Sequence, residues 1–249
     1  MTENHSDLTT HPPSDGQLDK WNQELDQLPS TQRLQWALDR VGGSMIATSS
    51  FGIHSAVTLH LVAQTLPTIP IIFIDTGYLF AETYRYARQL SELLELNVHY
   101  YTPTITPAHQ EALYGRRWEQ GSDEMDQYLE QNKLNPMREA LETFKPHIWL
   151  SGLRRNQSDT RAERPIIERQ GERLKLFPII DWDDEQVNAY IDEHHLPRHP
   201  LEADGYVSTG DWHSTTKLGS GMRPQDTRFG GLRRECGLHE NSKWKAENQ

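Results

Sequence analysis

The chain has a single cysteine, Cys236, among its 249 residues. Without a second thiol it cannot form an internal disulfide, and an iron–sulfur cluster held by about four cysteine thiolates is excluded. A lone thiol that takes part in chemistry acts as a nucleophile or as one half of an exchange with another molecule. The charged, glycine-flanked surroundings of Cys236 favour this reactive role, because nearby cations stabilise the thiolate. The alternative is a small buried apolar residue, which is the usual state of a free cysteine.

Long apolar runs and a positive net charge are also missing. No window approaches the roughly eighteen apolar residues of a membrane span. Residues 1–16 lack the basic and apolar regions of a signal peptide, so together with the single cysteine they predict a cytoplasmic protein. The formal charge of −11 disfavours general binding to nucleic acids.

Basic residues are concentrated near the carboxyl end of this acidic chain. The stretch from Lys217 to Lys245 has seven basic residues against three acidic ones, and it contains Cys236. Such a segment suits a small, highly charged anion. The alternative is a solvated run of charge, which is the commoner role of such segments.

Apolar runs and helical periodicities predict an α/β protein. We expect strands at residues 45–48, 71–74, 98–101 and 147–150, a hairpin at 165–168 and 174–177, and helices at 53–66, 81–96 and 183–194, with 107–145 mostly helical. Strands that alternate with helices form a largely parallel sheet, and ligands bind at the carboxyl ends of its strands. Three strand ends therefore merit attention.

The first predicted strand ends in a loop of small residues. Ser49, Ser50, Gly52 and Ser55 lie between a strand and a helix, where backbone N–H groups and hydroxyls can bind an anion. Helix capping would explain the same residues equally well. The loop matches neither the G-x-x-x-x-G-K-[ST] pattern nor the G-x-G-x-x-G pattern.

Two other strand ends have candidate ligand-binding residues. Asp75, followed by Thr76 and Gly77, suits a ribose hydroxyl or a metal, although an aspartate that caps the next turn is an equal alternative. After the fourth strand come Arg154, Arg155 and Arg161. Arginines at this edge favour a phosphate or a sulfate, which a guanidinium can bind with two hydrogen bonds.

The histidines predict no metal site. His194, His195 and His199 are adjacent or in loops, and His54 and His60 lie on different faces of one helix. Among them no pair at the H-x-x-x-H spacing lies with a nearby acid on a helix.

Several segments, in this order, resemble one enzyme family. They are 49–53 (Ser-Ser-Phe-Gly-Ile), 74–84 around Asp-Thr-Gly-Tyr, 152–158 around Gly-Leu-Arg-Arg, 178–182 (Pro-Ile-Ile-Asp-Trp), 205–211 around Gly-Tyr and Gly-Asp, and 235–239 (Glu-Cys-Gly-Leu-His). With these motifs the chain resembles the thioredoxin-dependent phosphoadenylyl-sulfate (PAPS) reductases of assimilatory sulfate reduction. The last motif is the most specific one, because it is the catalytic element of that family.

The resemblance implies a fold similar to the adenine nucleotide α-hydrolases, with a mostly parallel twisted sheet flanked by helices. Its serine-rich loop is a modified form of the S-G-G-x-D-S loop of relatives that split ATP. Here Phe51 replaces the first glycine and His54 stands where the acid would be. These differences imply a loop that binds a nucleotide without metal-assisted cleavage.

The resemblance also implies an organisation and a set of site residues. Residues 1–16 would form a disordered tail, 17–216 the nucleotide-binding domain and 217–249 a flexible catalytic arm. Cys236 and His239 would be catalytic. The substrate would be bound by Ser49, Ser50, Gly52, Ser55, Asp75, Thr76, Gly77, Arg154, Arg155, Arg161, Arg228, Arg233 and Arg234.

The implied reaction converts PAPS to sulfite and adenosine 3′,5′-bisphosphate through an S-sulfocysteine on Cys236. Reduced thioredoxin or glutaredoxin would supply the electrons, because no second cysteine of the chain can resolve the intermediate. No bound cofactor, metal or iron–sulfur cluster is expected, and neither is a nucleic-acid or membrane partner. The family also implies a homodimer.

Three alternatives stay open at this level. One is a clusterless reductase of adenylyl sulfate (APS), although such enzymes usually have a cysteine pair and a later C-x-x-C. Another is an adenylyltransferase or pyrophosphatase of the same fold that cleaves ATP. The third is a redox sensor that binds an adenylate and uses Cys236 as its switch.

Overall fold

The computed structural model describes residues 13–229 and 237–238, and within them six strands form one sheet in the order β3-β2-β1-β4-β6-β5. The strands are β1 (Met45–Thr48), β2 (Pro70–Ile74), β3 (Asn97–Tyr101), β4 (Ile148–Ser151), β5 (Ile167–Gln170) and β6 (Arg173–Leu176). All neighbours pair in parallel except β5 and β6, which form an antiparallel hairpin at one edge. The predicted fold class, the four alternating strands and the hairpin are confirmed, with strand ends shifted by up to two residues.

Helices connect the strands and cover both faces of the sheet. They are α1 (Asp15–Asp26), α2 (Arg33–Arg40), α3 (Ser55–Thr65), α4 (Ala81–Leu93), α5 (Pro107–Tyr114), α6 (Ser122–Leu129), α7 (Asn135–Phe144), α8 (Asp184–Glu193) and the short α9 (Pro200–Ala203). A π-helical turn, Glu130–Leu134, joins α6 to α7. Helix α4 ends three residues before the predicted boundary. No described helix combines the length and the apolar composition that crossing a bilayer requires.

Successive residues of the central strands point to opposite faces of the sheet, and both faces are apolar. Ala47 and Leu150 face a large cluster that also contains residues of α1, α2, α3, α4 and α8. Ile46, Ile72 and Trp149 face a smaller cluster under α7. The near-continuous apolar runs of these strands therefore reflect helices on both sides.

The amino-terminal boundary differs from the predicted one. Ser14 is the N-cap of α1, and its hydroxyl accepts a hydrogen bond from the Gln17 backbone N–H at 3.2 Å. The helix thus begins inside the predicted tail of residues 1–16, because a serine cap starts it before the first periodic apolar residue. Residues 1–12 lie outside the described residues. Asn22 of α1 then bonds both backbone groups of Ile167 at the edge of the sheet.

Helix α2 is linked to the rest of the domain by a buried arginine. The Arg33 guanidinium donates to Asp181 at 2.6 and 2.7 Å and to the carbonyl oxygens of Leu25 and Pro178. Its side chain is 2% exposed, whereas Asp181 is 35% exposed. One side chain thus joins α1, α2 and the loop that follows β6.

Replacing this arginine is expected to destabilise the fold. Arg33→Met should lower the free energy of unfolding by about 2–4 kcal/mol, because it removes a buried cation and leaves Asp181 and two carbonyls without their donor. Urea unfolding followed by circular dichroism measures this. The control is Arg40→Met on the same helix, where the pair with Glu24 is exposed on both sides and should contribute less than about 1 kcal/mol. Equal effects of the two variants would contradict the assignment.

Candidate active site

A cleft of about 570 Å³ opens at the carboxyl ends of β1, β2 and β4. Strand β1 lies between β2 on one side and β4 on the other, so the connections leave it in opposite directions. Such a switch point separates two loops and leaves a crevice between them. The cleft is lined by the loop after β1, the loop after β4, part of residues 205–210, Arg228 and Leu238.

The loop after β1 owes its shape to its own hydrogen bonds. The Ser49 hydroxyl accepts from the Phe51 backbone N–H at 3.0 Å, and the Ser55 hydroxyl donates to the Gly52 carbonyl at 2.8 Å. Phe51 has a φ of +47° and packs its buried ring against Phe73. All four predicted anion-binding residues of the loop line the cleft. Ser49 and Ser55, however, already bond within the loop, so Ser50 is the serine that the loop exposes.

His54, next in this loop, faces the first arginine of the β4 loop. Its Nδ1 accepts from Arg154 Nη2 at 2.9 Å, so the imidazole proton lies on Nε2. Burial and the positive charge of Arg154 lower the pKa of His54 to about 4. The position that is acidic in relatives that split ATP therefore holds a neutral imidazole at neutral pH.

Arg154 is itself bonded within the protein. It is 1% exposed, and it donates to Asp184 at 2.7 Å and to the Trp182 carbonyl at 3.2 Å in addition to His54. The side chain reaches the cleft, as expected, but it also joins the β4 loop to the start of α8. The sequence pattern did not show these internal partners.

At the end of β2, Asp75 and Gly77 form a turn, whereas Thr76 lines the cleft. The Asp75 carboxylate accepts from the Gly77 backbone N–H at 2.8 Å and from the Tyr84 hydroxyl at 2.6 Å, and neither Asp75 nor Gly77 lines the cleft. Only Thr76 reaches it. Gly77 has a φ of +74°, and a Cβ there would lie 2.5 Å from Pro107 Cγ. Asp75 therefore caps a turn in this structure, which is the alternative that the sequence left open, and its predicted contact with a nucleotide stays a prediction.

A buried ion pair stands beside Thr76. Lys133 Nζ lies 2.6 Å from Asp211 Oδ2, and the Thr76 hydroxyl donates to Asp211 Oδ1 at 2.6 Å. Burial favours the neutral acid, but the Lys133 ammonium and the Thr76 hydroxyl outweigh it and hold the pKa of Asp211 below its ordinary value. The sequence analysis missed Lys133, because a lysine in a polar helical stretch carries no local signal of burial. The π-helical turn places it at the cleft.

The other predicted arginines that the structure describes, Arg155, Arg161 and Arg228, differ in whether they line the cleft. Arg155 donates to the Arg164 carbonyl at 2.8 Å and does not line the cleft, contrary to expectation. Arg161 and Arg228 do line it. Arg161 donates to Gln157 Oε1 at 2.6 Å, and Arg228 donates to the Thr209 carbonyl at 2.8 Å.

Gly210 explains how Arg228 fits at the cleft. A Cβ at this position would overlap the Arg228 guanidinium, so any other residue here would require Arg228 to move. The neighbouring Thr209 is buried, and its hydroxyl oxygen has no hydrogen-bond partner among the described residues. Gly52 faces this hydroxyl, at 3.4 Å from its would-be Cβ. The segment 209–210 thus brings a guanidinium and a hydroxyl to the loop after β1.

The chain returns to the cleft at Gly237 and Leu238. Leu238 lines the cleft and packs against the smaller apolar cluster, and its carbonyl accepts from Lys175 at 3.0 Å and from Gln170 at 3.2 Å. Gly237 is buried beside Leu134 and has a φ of +87°. The predicted residues Arg233, Arg234, Cys236 and His239 lie outside the described residues.

In the part of the chain that the structure describes, no three histidine, cysteine, aspartate or glutamate residues are grouped so that they could bind a metal ion. The polar side chains at the cleft are hydroxyls, several amides, the His54 imidazole, the carboxylates of Asp184 and Glu202, and the cations of Lys133, Arg154, Arg161 and Arg228. Hydroxyls with cationic donors suit a phosphorylated or sulfated ligand. This chemistry agrees with the small charged anion expected from the sequence.

Known proteins with similar folds fall into two groups. The crystal structure of a PAPS reductase from Candida auris, a phosphate complex, is 30% identical with a TM-score of 0.73, and the match covers 82% of this chain and 98% of that one. An FMN adenylyltransferase of Candida glabrata has a TM-score of 0.57 at 12% identity, covering 89% of this chain and 76% of that one. The second likeness concerns the fold alone.

Sequence comparisons give the family. The model described as "Phosphoadenosine phosphosulfate reductase domain" matches residues 44–217. A phosphoadenosine 5′-phosphosulfate reductase of Xanthomonas euvesicatoria pv. vesicatoria (strain 85-10) is 51% identical over 224 residues, which are 90% of this chain and 93% of the relative. One from Alkalilimnicola ehrlichii is 47% identical over 225 residues, 90% of this chain and 92% of the relative. The chain therefore belongs to the phosphoadenosine phosphosulfate reductase family.

Proposed function

We propose that the chain reduces PAPS to sulfite and adenosine 3′,5′-bisphosphate, with Cys236 as the nucleophile and reduced thioredoxin as the electron donor. The observation that carries this proposal is the position of Gly237 and Leu238. These two residues follow Cys236 directly, and Leu238 lines the same cleft as the serine loop and the cations. Membership of the family and the names of the relatives support the choice of substrate.

In the first step the Cys236 thiolate attacks the sulfur atom of the sulfonate. A bond forms between Sγ and that sulfur, while the bond from the sulfur to the phosphate oxygen breaks. The electron pair of the broken bond leaves with adenosine 3′,5′-bisphosphate. The enzyme is left with an S-sulfocysteine, and the external electron donor has not yet been oxidised.

In the second step a thiolate of reduced thioredoxin attacks Cys236 Sγ. Sulfite leaves with the electron pair of the sulfur–sulfur bond, and a mixed disulfide remains. The second thiol of thioredoxin resolves it, which returns the Cys236 thiolate and gives oxidised thioredoxin. The dithiol thus supplies two electrons, and its two protons pass to solvent. Glutaredoxin is the other donor with this chemistry.

The described residues supply binding and charge stabilisation for the nucleotide. Backbone N–H groups at the start of α3, with Ser50 and Gly52, face the phosphate or sulfate oxygens. Lys133, Arg161 and Arg228 offset the negative charge that moves to the leaving phosphate as the bond breaks. We assign Arg233, Arg234 and His239 to the thiol end of the reaction, where positive charge favours the thiolate.

The neutral His54 argues against the alternative that this chain cleaves ATP. Its Nδ1 accepts from Arg154, so it presents no anionic oxygen to a metal ion. In an enzyme that splits ATP at this loop, an acid at that place would assist metal binding.

Reduction by a thioredoxin dithiol requires a reducing compartment, so we place the reaction in the cytoplasm. The family further suggests a homodimer, which light scattering of the purified protein would test. The proposal includes no resident cofactor or metal ion. Sulfite formation should therefore continue in the presence of a chelator.

The test is the intact mass of the reduced protein after mixing with PAPS or with APS in the absence of thioredoxin. We expect the mass to increase by one sulfonate group with PAPS and to stay unchanged with APS. Adding reduced thioredoxin should then restore the original mass and release sulfite. Peptide mapping should find the sulfonate on Cys236, and a variant lacking this thiol should acquire none.

Other outcomes have distinct meanings. An adduct from APS would keep the mechanism and overturn the substrate. No adduct from either nucleotide would overturn the thiosulfonate route. Release of pyrophosphate from ATP would point to the adenylyltransferase chemistry instead, and nucleotide binding without sulfite formation would point to a redox sensor.

A further inference from the structure

Strand β6 has a lysine in the interior of the protein. Lys175 is 0% exposed, and its ammonium nitrogen lies 3.5 Å from the centroid of the Trp149 ring. It points to the face of the sheet on which Ile46, Ile72 and Trp149 are buried under α7. A charged group in such a place is costly unless polar partners compensate for the lost water. The hydrogen-bond partners of the Lys175 ammonium should therefore indicate its role.

A backbone carbonyl from the far end of the chain is one of its partners. Lys175 Nζ donates to the Leu238 carbonyl at 3.0 Å, and Gln170 of β5 donates from Nε2 to the same oxygen at 3.2 Å. Gln170 is 2% exposed. One oxygen atom thus accepts from two buried side chains on neighbouring strands. We call Lys175 and Gln170 the Leu238 clamp.

The rest of Leu238 supports the same contact. Its side chain packs against the apolar cluster of β1, β2, β4 and α7, and the preceding Gly237 is buried against Leu134. Gly237 has a φ of +87°, a conformation that glycine adopts freely. Apolar packing, a turn and two hydrogen bonds therefore all fix this short segment at the edge of the cleft.

Lys175 also has a charged neighbour within the hairpin. Glu168 lies opposite it on β5, and the Lys175 charge opposes the rise that burial causes in the pKa of Glu168. The Glu168 carboxylate accepts its hydrogen bond from Arg164, at 2.8 Å, whereas Lys175 donates to Leu238. The hydrogen bond of the clamp lysine thus reaches beyond the sheet, to the segment that follows Cys236.

We infer that Lys175 and Gln170 are positioning residues that hold the Leu238 carbonyl and thereby set the place of the Cys236 thiol at the cleft. The inference rests on the proposed function, in which Cys236 is the nucleophile. Two peptide units separate the Cα atoms of Cys236 and Leu238, so they lie at most about 7.6 Å apart. A fixed Leu238 therefore limits how far the backbone at position 236 can move away from the cleft. Orientation of this kind governs the rate of the first step, because a displacement of about 1 Å can cost about 100-fold.

The first test is the rate of S-sulfonation in a single turnover, followed by intact mass. Lys175→Met keeps the long unbranched stem and removes the donor, and Gln170→Met does the same for the amide. Each variant should form the adduct about 10- to 100-fold more slowly than the wild type. The affinity for PAPS, measured by calorimetry with Cys236 replaced by serine in every variant, should change less than about threefold. The control, Lys20→Met on the exposed face of α1, should match the wild type in both measurements.

The second test needs no substrate. Trypsin cuts after Arg233 and Arg234, and we expect both clamp variants to be cut there about tenfold faster than the wild type and than Lys20→Met, because loss of a charge-assisted hydrogen bond makes local opening easier. Leu238→Ala removes the apolar packing from the other side of the contact. It should accelerate cleavage and slow S-sulfonation in the same way, even where a clamp variant fails to fold.

The combination of variants completes the test. Because Leu238→Ala and Lys175→Met each release the same segment, one through its apolar packing and the other through its hydrogen bond, the double variant should be about as slow as the slower single variant. Multiplication of the two effects, unchanged tryptic cleavage, or faster cleavage without slower S-sulfonation would each overturn the inference. If the wild type forms no adduct at all, the proposed function fails. Cleavage rates would then still decide whether the clamp holds the segment.

Discussion

Replacing Cys236 with serine is expected to lower kcat/KM for sulfite formation by at least about 10³-fold. A serine hydroxyl remains protonated at neutral pH, whereas a thiol with cationic neighbours in the sequence, Arg233 and Arg234, more readily supplies a reactive thiolate. The chain has no other cysteine to take over the reaction. Sulfite release with PAPS and reduced thioredoxin is the measurement.

The same variant should bind PAPS as tightly as the wild type, within about threefold. The groups proposed to hold the nucleotide lie on the loops after β1 and β4 and at Arg228, and serine differs from cysteine by one atom. A trapping experiment with thioredoxin lacking its resolving cysteine adds a second readout, since only the wild-type chain should form a mixed disulfide. Sulfite formation within tenfold of the wild type would remove Cys236 from the mechanism.

The second large effect is expected at the buried pair of Lys133 and Asp211. Asp211→Asn and Lys133→Met should each lower the free energy of unfolding by about 3–5 kcal/mol, because each leaves one charge buried without its partner. Asp211 is 0% exposed, and the two charged atoms lie 2.6 Å apart. Urea unfolding at neutral pH measures the change.

The double variant provides the sharper result. With both charges removed there is no uncompensated charge, so Lys133→Met/Asp211→Asn should recover most of the lost stability. The control is the same cycle on Arg88 and Glu92 of α4, a pair at 2.8 Å with both side chains exposed, where screening by water should make the coupling much weaker. Strict additivity at Lys133 and Asp211 would show that the pair does not act as one unit.

Lowering the pH is expected to remove the stability that the Asp211 carboxylate contributes. The pKa of Asp211 is lowered in the folded chain, so the carboxylate contributes stability above the pKa of an unfolded aspartate, about 3.9, and loses it as the pH falls through the folded value. At neutral pH the contribution is fully present. For this reason the unfolding measurements are compared at pH 7.

Local patterns predicted much of the fold. Apolar runs such as residues 71–74 predicted buried strands, and small residues between β1 and α3 predicted a loop at the ligand-binding edge. These features depend on neighbours within about ten positions, such as period, caps and turn residues. The start of helix α1 at Asp15 shows how local the errors are, because one serine cap places the first helical residues inside the predicted tail of residues 1–16.

The partners of individual polar side chains could not be predicted in this way. Arg154 and Arg155 are adjacent and chemically alike, yet one is buried against His54 at the cleft and the other bonds outside it. Which of the two points inward depends on the packing of the loop against α8. Asp75 similarly suited a ligand and a turn equally well from the sequence, which gave no sign that the Tyr84 hydroxyl donates to it.

The sequence by itself determined the fold class, the order of strands and helices, the family and a single candidate nucleophile. Each of these depends on residue types in a linear order. The tertiary structure decided which polar groups each buried cation meets: Lys175 bonds the Leu238 carbonyl, 63 positions away, and Arg154 bonds the neutral His54, 100 positions away. Such pairs leave no local trace, because a buried charge is compensated by whatever residue the fold brings near it.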